Sequence, residues 1–197
     1  MAQASTSTSD AGPSADHHAV VELGGALTSA LVAFSDRGLI GLRAWGDFPI
    51  GSERDAWLAS IAAEGASEGA LPPAWHAVLA AFSVGEPADP ADLPVDLRGP
   101  RFHVAVWRAL LRVKRGSVRT YQGLAKDAGS PRAVRAVGQA MARNPLPIVV
   151  PCHRVIASGG ALGGYTGGVA RKRVLLGLEG VPVIGEQVQV GQLDLWG

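Results

Sequence analysis

The most reactive arrangement in this chain is Pro151-Cys152-His153-Arg154-Val155, which holds its only cysteine. A thiol reacts as its thiolate, so a cysteine that works at neutral pH needs a lowered pKa or a base to take its proton. His153 and Arg154, its immediate neighbours, are groups of the right kind. Glu179 is one of only two acids between residues 101 and 180. An acid kept there could orient His153 and stabilise its charge, as the third member of a catalytic triad does. The plainer alternatives are a buried inert thiol for Cys152 and a helix-end surface position for Glu179. Spacing alone leaves both open.

The apolar run Ile148-Val149-Val150 predicts a strand that ends at the cysteine. Neighbouring strand residues face opposite ways, so His153 need not touch Cys152 directly; a bridging water is one way to connect them. Upstream, Phe102, Val106, Leu110 and Val113 recur at helical spacing, with Trp107 alongside and Gly116 as the stop. Thr120 is a good N-cap for a helix over 121–128. Gly129-Ser130 makes a turn, and Pro131 suits the first position of a helix running to about Arg143. Two short helices joined by a tight glycine turn carry the helix-turn-helix signature. The second is built of small residues (Ala133, Ala136, Gly138, Ala140) and long cations (Arg132, Arg135, Arg143). Small residues let a backbone approach a groove while arginines reach phosphates; the alternative is an ordinary helix packed tightly on a neighbour.

Asn144-Pro145-Leu146-Pro147 cannot continue that helix. After the cysteine, six glycines fall within residues 159–168, with Tyr165 and Thr166 among them. Such a loop can wrap a flat ligand closely. It matches neither a P-loop nor a dinucleotide fingerprint. Val169–Glu179 reads as a helix bearing Arg171, Lys172 and Arg173, closed by Gly180.

The first half reads differently. Residues 2–16 are polar and small, and are expected to be a disordered tail. His17-His18 is an inert pair rather than a metal site. Ala19–Leu23, Leu27–Phe34 and Leu39–Trp45 predict an antiparallel meander with turns at Gly24-Gly25 and at 35–38. Ser52, with Asp55 three residues on, caps a helix carrying Trp57, Leu58 and Ile61. Pro72-Pro73 opens another with Trp75, Val78, Leu79 and Phe82 on one stripe, better explained by packing than by a ligand platform. Asp47 and His76 are isolated polar residues, structural or solvated. Gly85–Pro94 reads as a linker and Pro94–Leu97 as a last strand. The expected division is a tail (1–16), an α/β domain (17–93), a second, mostly helical domain (94–180) and a C-terminal tail (181–197).

Composition bounds the rest. The 197 residues are 47% hydrophobic, ample for a packed core. The net charge of +1 conceals a strong asymmetry: residues 1–100 hold 4 Arg/Lys against 13 Asp/Glu, and residues 101–180 hold 14 against 2. Segregation of that kind points to one part that meets a polyanion. A lone cysteine excludes an internal disulfide and a four-thiolate zinc site, and the five histidines show no ligand spacing. The first eighteen residues lack the apolar core of a signal peptide, and no run approaches the ~20 apolar residues of a membrane span. A cytoplasmic location follows as the expectation, with no membrane partner, metal or cofactor.

The cysteine motif, the upstream Asn144-Pro145 and the downstream Gly164-Tyr165-Thr166-Gly167-Gly168 resemble the O6-alkylguanine-DNA alkyltransferases, the methylated-DNA–protein-cysteine methyltransferases, over roughly residues 94–180. The resemblance implies a mixed α/β (α+β) fold: a small ribonuclease-H-like N-terminal domain and a mostly helical domain with a helix-turn-helix docked in the minor groove. It implies binding of duplex DNA, flipping of O6-alkylguanine (and O4-alkylthymine) into a pocket, and transfer of the alkyl group to Cys152. His153 then matches the water-linked base and Glu179 the acid behind it. Asn144 matches the brace of the active-site turn, and Tyr121 the donor near the flipped nucleotide. Arg135 matches the finger that fills the vacated stack, with Thr120, Ala136 and Arg132 along the DNA face. Val155, Tyr165, Thr166, Gly167 and Met141 match the pocket. A base must leave the stack before a buried thiolate reaches it, and a leaving guanine needs a proton. With one cysteine and a stable thioether, one turnover consumes the protein. A monomer is expected, with cooperativity along DNA left open.

The sequence departs from the family pattern at His103, where Gln is common, and at Lys114-Arg115-Gly116, which replaces a turn with proline. Both lie outside the chemical core. Two other readings fit part of the pattern. One is a non-catalytic alkyl-lesion recognition protein of the same fold; relatives of that kind replace the cysteine. The other is a cysteine hydrolase built on Cys152 and His153, which leaves the basic helix-turn-helix unexplained.

Overall fold

The structure, a computed structural model, describes residues 16–44 and 52–189. The expected N-terminal tail up to residue 15, Trp45, Asp47, the side chain of the Ser52 cap and everything beyond Gln189 lie outside the described residues. The meander is present: β1 (His17–Glu22), β2 (Ser29–Ser35) and β3 (Gly38–Ala44) pair antiparallel in turn. The second strand starts later than its apolar run, because Gly25–Leu27 coils into a 3-10 turn that buries Leu27. At the β2–β3 turn Gly38 has φ 143°, and a Cβ there would fall 2.6 Å from the backbone of Pro94. Only glycine fits this crossing. The crossing itself is a single parallel bridge, Leu39 to Val95, not the strand expected over Pro94–Leu97. Pro94 has no N–H with which to extend a ladder, and the Asp96 carboxylate turns to Ser35, Arg37 and Arg98.

A fourth strand, β4 (Ser67–Glu68), pairs parallel with β1, giving the order β3-β2-β1-β4; two residues are too few to show a pattern. Two helices accompany the sheet, α1 (Ser52–Ala63) and α2 (Pro73–Ser83). Leu79 and Phe82 of α2 are fully buried, and Trp75 meets Phe34 edge-on at 6.3 Å, a packing role.

In the second half, α3 (Arg101–Leu110) buries Val106, Trp107 and Leu110. The Trp107 indole donates to the Ala140 carbonyl at 2.9 Å, tying α3 to α5 (Val134–Ala142). Between them lie β5 (Arg119–Thr120) and α4 (Tyr121–Asp127), which Thr120 caps by accepting from the Gly123 N–H at 3.0 Å. The second helix of this helix-turn-helix starts three residues later than expected, because 131–133 close a turn in which the Ala133 N–H donates to Ser130 O. β6 (Val155–Ile156) pairs parallel with β5 and sets the segment after the cysteine beside the start of α4. α6 (Val169–Leu178) follows the glycine-rich loop.

The two halves share one core: Val32, Leu42, Leu79 and Phe82 pack in the same cluster as Leu110, Leu146, Val149 and Val155. The stretch 85–94 is therefore not a free linker. Asp89 caps a 3-10 turn at Pro90–Asp92 and reaches the Arg154 guanidinium. Nor are residues 181–189 a tail. β7 (Val183–Ile184) and β8 (Gln187–Val188) form a hairpin, and Val181 and Val188 join Val118, Ile156, Leu162 and Leu176 in a second cluster behind the glycine loop. Among the described residues no helix is long and apolar enough to cross a membrane.

Candidate active site

The segment entering the cysteine is a turn rather than a strand. Pro145, Pro147 and Pro151 each remove a backbone donor that a ladder would need. Ile148 has φ 79°, a conformation that strains a β-branched residue, and Cys152–Arg154 forms one turn of 3-10 helix. Asn144 organises this turn. Its Oδ1 accepts from the Leu146 N–H at 3.0 Å; its Nδ2 donates to the Val150 carbonyl at 2.7 Å and lies 3.3 Å from the Cys152 sulfur.

Behind the thiol is a buried polar chain. His153 Nε2 lies 2.8 Å from Glu179 Oε1. Arg154 Nε donates to both Glu179 oxygens at 3.0 Å and Nη2 to Oε1 at 2.8 Å. The other side of the same guanidinium meets Asp89 at 2.7 Å and the Val113 carbonyl at 2.6 Å. The side chains of His153, Arg154 and Glu179 are fully buried. A buried charge is tolerated only when paired and fully hydrogen-bonded, and two carboxylates on one guanidinium meet that condition. Glu179 is thus not a surface residue: it follows the last residue of α6 and points inward. His153 Nδ1 is also buried and has no protein partner.

The electrostatics follow from burial. Burial pushes the Glu179 carboxyl up, but the hydrogen bonds and charges of His153 and Arg154 prevail and hold it at about 2. Burial lowers the His153 pKa against the pull of Glu179, so the ring is neutral at rest and able to accept a proton. Burial raises the Cys152 thiol, opposed by the Asn144 hydrogen bond, its own backbone N–H, the Lys172 charge and Tyr165. Lys172 is fully buried, its ammonium bonded to the carbonyls of Val155, Leu162 and Gly164. Burial brings it down to about 8 even though Cys152 acts to raise it. The arrangement is a neutral thiol beside a neutral base, surrounded by groups that favour the thiolate.

Cys152 opens on a cavity of about 230 Å³ walled by Met141, Asn144, Tyr165, Thr166 and Gly167, with Arg43, Pro147 and Arg171 at one end. A second branch, about 210 Å³, runs from Cys152 and Met141 to Tyr121, Gly138 and Gly164. The Tyr121 hydroxyl donates to the Gly164 carbonyl at 3.3 Å. Burial, and then the Cys152 charge, raises its pKa, so it keeps its proton and can act as a donor.

Of the residues singled out in the sequence, Cys152, Asn144, Tyr121, Met141, Tyr165, Thr166 and Gly167 meet at this cavity, and His153 and Glu179 stand behind it. Val155 does not line it; its side chain is fully buried and its carbonyl holds Lys172. Thr120 is committed to its cap, Ala136 is half-buried on α5, and Arg132 and Arg135 are exposed before and on α5. Sequence reasoning missed Arg154 as the central brace, Asp89 as its second partner, Lys172 as an internal cation and Arg43 as a wall of the cavity. Lys172, Leu175, Leu176 and Glu179 share the three- and four-residue spacing of one helical face, which is a signal that could have turned Lys172 inward.

The family model described as "6-O-methylguanine DNA methyltransferase, DNA binding domain" matches residues 101–181. A methylated-DNA–protein-cysteine methyltransferase of Mycobacterium bovis is 50% identical over 101 residues, which cover 51% of this chain and 61% of the relative, less than two thirds of its length. The crystal structure of the Mycobacterium tuberculosis O6-methylguanine methyltransferase superposes with a TM-score of 0.64 at 34% identity, covering 83% of this chain and 92% of that one. A Mycobacterium tuberculosis OGT crystallised in complex with DNA superposes at 0.62 with 33% identity, over 83% and 91% of the two chains.

Proposed function

The chain belongs to the 6-O-methylguanine DNA methyltransferase family, and from that premise we propose that it repairs DNA by moving the alkyl group of an O6-alkylguanine irreversibly to Cys152. The observation that carries this reading is the cavity on Cys152 backed by the buried His153–Glu179–Arg154 chain. Duplex DNA lies along α4 and α5. The exposed Arg135 enters the stack that the flipped nucleotide leaves, and Arg132 and Ala136 face the backbone. The purine occupies the Tyr121 branch of the cavity, between that ring and the loop of Tyr165 and Thr166. A bridging water carries the thiol proton to His153 Nδ1, the ring nitrogen that Glu179 leaves free. Glu179 then stabilises the imidazolium, as a triad acid does. The sulfur attacks the alkyl carbon in line, the C–O6 bond breaks, and the electron pair passes to the guanine ring, which takes a proton from Tyr121. Asn144 and Lys172 hold the turn and the loop on either side of the reacting sulfur. O4-alkylthymine is a second substrate of the same pocket. The protein acts as a monomer, in the cytoplasm and without a cofactor.

The test is intact-protein mass spectrometry after incubation with a duplex containing one O6-methylguanine. A gain of one methylene mass per protein, localised to Cys152 and absent in Cys152→Ser, is expected. Tight lesion binding with no mass change would instead make the protein a recognition factor with an inert thiol.

A further inference from the structure

The arginines of α3 take no part in the site described so far. Arg101, Arg108 and Arg112 stand seven and four residues apart, a spacing that aligns them on one helical face. Arg112 lies on the turn that continues α3, its N–H donating to Ala109 O at 3.2 Å. All three are exposed. Val106, Trp107 and Leu110 occupy the opposite face and are buried, with the Trp107 indole on Ala140 of α5. On α5 the exposed Arg135 likewise lies opposite the buried Val137, Ala140 and Met141. The two arginine faces therefore look away from each other across the α3–α5 contact.

A groove runs along the arginine face of α3, where the end of α4 packs beside it. One recess, about 390 Å³, is lined by Arg101, Val104, Ala105, Arg108 and Ala128. The next, about 420 Å³, is lined by Ala109, Val113, Lys114 and Arg119. Arg112 and Asp127 line both, so the two are continuous. Five cations meet there against Asp127, the one acid among the described residues that line the groove. That acid is already engaged: its carboxylate accepts from Arg119 Nε and Nη2 at 2.8 Å each. Arg119 Nη1 is buried and has no protein partner. Arg112 donates to two neutral carbonyls, Arg108 O at 3.3 Å and Asp127 O at 3.0 Å. Lys114 reaches Asp92 at 4.0 Å, with both side chains 74% exposed, and such a pair neutralises little. The side chains between the arginines are short, so a backbone can come close.

The spacing selects the partner. At 1.5 Å per residue, Arg101 to Arg108 spans about 10.5 Å of helix axis and Arg108 to Arg112 about 6 Å. Phosphates of one DNA strand recur every ~3.4 Å of duplex axis, so these intervals fit about three and two phosphate steps. A duplex lying on α5 cannot also reach this groove, because DNA stays stiff over ~150 bp and the two faces point apart. We propose that the α3 groove binds the phosphate backbone of a second duplex segment, so that one molecule holds two DNA segments at once. The first segment is the one placed above on α4 and α5; the groove itself needs no alkyl transfer.

The test immobilises one duplex on beads, saturates it with the full chain, and measures capture of a second, labelled, undamaged duplex per protein on the beads. Wild type should capture it, with an affinity that falls about fortyfold between 50 and 200 mM salt, as for three phosphate contacts at a log–log slope of about −2.7. Arg101→Gln combined with Arg108→Gln should reduce that slope to about −0.9 and weaken capture by at least about tenfold. Single-turnover methyl transfer to the same variant should stay within about twofold of wild type. Arg112 is left in place because it holds the end of α4. Should the double variant not fold, Arg108→Gln alone is read by a slope shallower by about 0.9. Absence of capture by a wild-type protein that transfers methyl normally overturns the proposal. Capture that is unchanged in the variant also overturns it and assigns bridging to contacts between protein copies. Competition by polyglutamate as effective as that by duplex of matched charge would make the groove a site for an acidic protein segment instead. Normal capture without methyl transfer would refute the transfer reaction and leave the groove standing.

Discussion

Replacing Glu179 with Gln removes one charge and almost no volume, and the geometry shows why it should be costly. The carboxylate has donors on every side: His153 Nε2 at 2.8 Å, Arg154 Nε at 3.0 Å from both oxygens and Arg154 Nη2 at 2.8 Å. An amide has one oxygen. If that oxygen faces His153, the NH2 group meets the Arg154 N–H donors. If it faces Arg154, the NH2 group meets Nε2, and the imidazole must carry its proton on Nδ1, the position that has to accept from the thiol. Either orientation disables the base or strains its support. A triad acid replaced by its amide, with the wrong tautomer as the result, loses about 10⁴-fold in turnover; partial recovery of the correct tautomer sets a floor of about 10²-fold. Stability is worked from the shift of the carboxyl from 4.5 to about 2, which amounts to about 3 kcal/mol at neutral pH, in keeping with about 3–5 kcal/mol for breaking a buried ion pair. The assay is single-turnover methyl transfer alongside the Kd for an undamaged duplex, at a temperature where circular dichroism shows both proteins folded. Duplex affinity should stay within about threefold, since the helix faces assigned to DNA do not include Glu179, while transfer drops by the range above. A rate within threefold of wild type would refute the role of Glu179 behind His153.

Because folding lowers the Glu179 pKa, its contribution is complete above about pH 4.5 and is lost as the pH falls toward 2; urea unfolding across that window should show the gap between wild type and Glu179→Gln closing. Lys172 also has a lowered pKa, about 8 against 10.5, so the unfolded chain binds the extra proton between those values. Stability should therefore gain from this group, by about 3 kcal/mol at most, as the pH rises from 8 to 10.5, and Lys172→Met should lack that gain. Arg135→Ala should slow repair of lesions in duplex DNA by at least about tenfold, because unstacking a base costs a few kcal/mol, while leaving the reaction with free O6-benzylguanine within about twofold. Equal losses in the two assays would remove Arg135 from the flipping step.

Much of the site could be read in advance because its reactive core is contiguous. Cys152 and His153 are neighbours, Asn144 ends a helix in front of prolines, and Thr120 precedes a helix that needs a cap. The meander and α2 were equally open, since alternation and helical spacing are local properties of the chain. The strand expected before Cys152 was misplaced because apolar content was read without the three prolines that break the ladder around it. Arg154 could not be placed from sequence. Its partners are 65 residues upstream and 25 downstream, and the upstream one sits in a proline-rich stretch that resembles a linker.

The charge count illustrates the same limit from the other side. Residues 101–180 hold 14 cations, and counting treats them all as surface facing a polyanion. Arg154 and Lys172 lie fully inside the fold, and Arg119 is held by Asp127 at 2.8 Å. The excess therefore has two sources: exposed arginines such as Arg132 and Arg135 on the helix-turn-helix, and internal cations that hold the cysteine turn and the glycine loop. The second group explains where the acids went. Glu179, one of two acids in that span, is placed against Arg154 rather than at the surface, and Asp89 is recruited from the acidic half to complete the pair. Charge that looks like an imbalance between two halves is in part an ion network that joins them at the reacting thiol. Mutations at that joint should therefore alter folding and transfer together, whereas those on the exposed arginines should alter DNA binding and nucleotide flipping and leave folding intact.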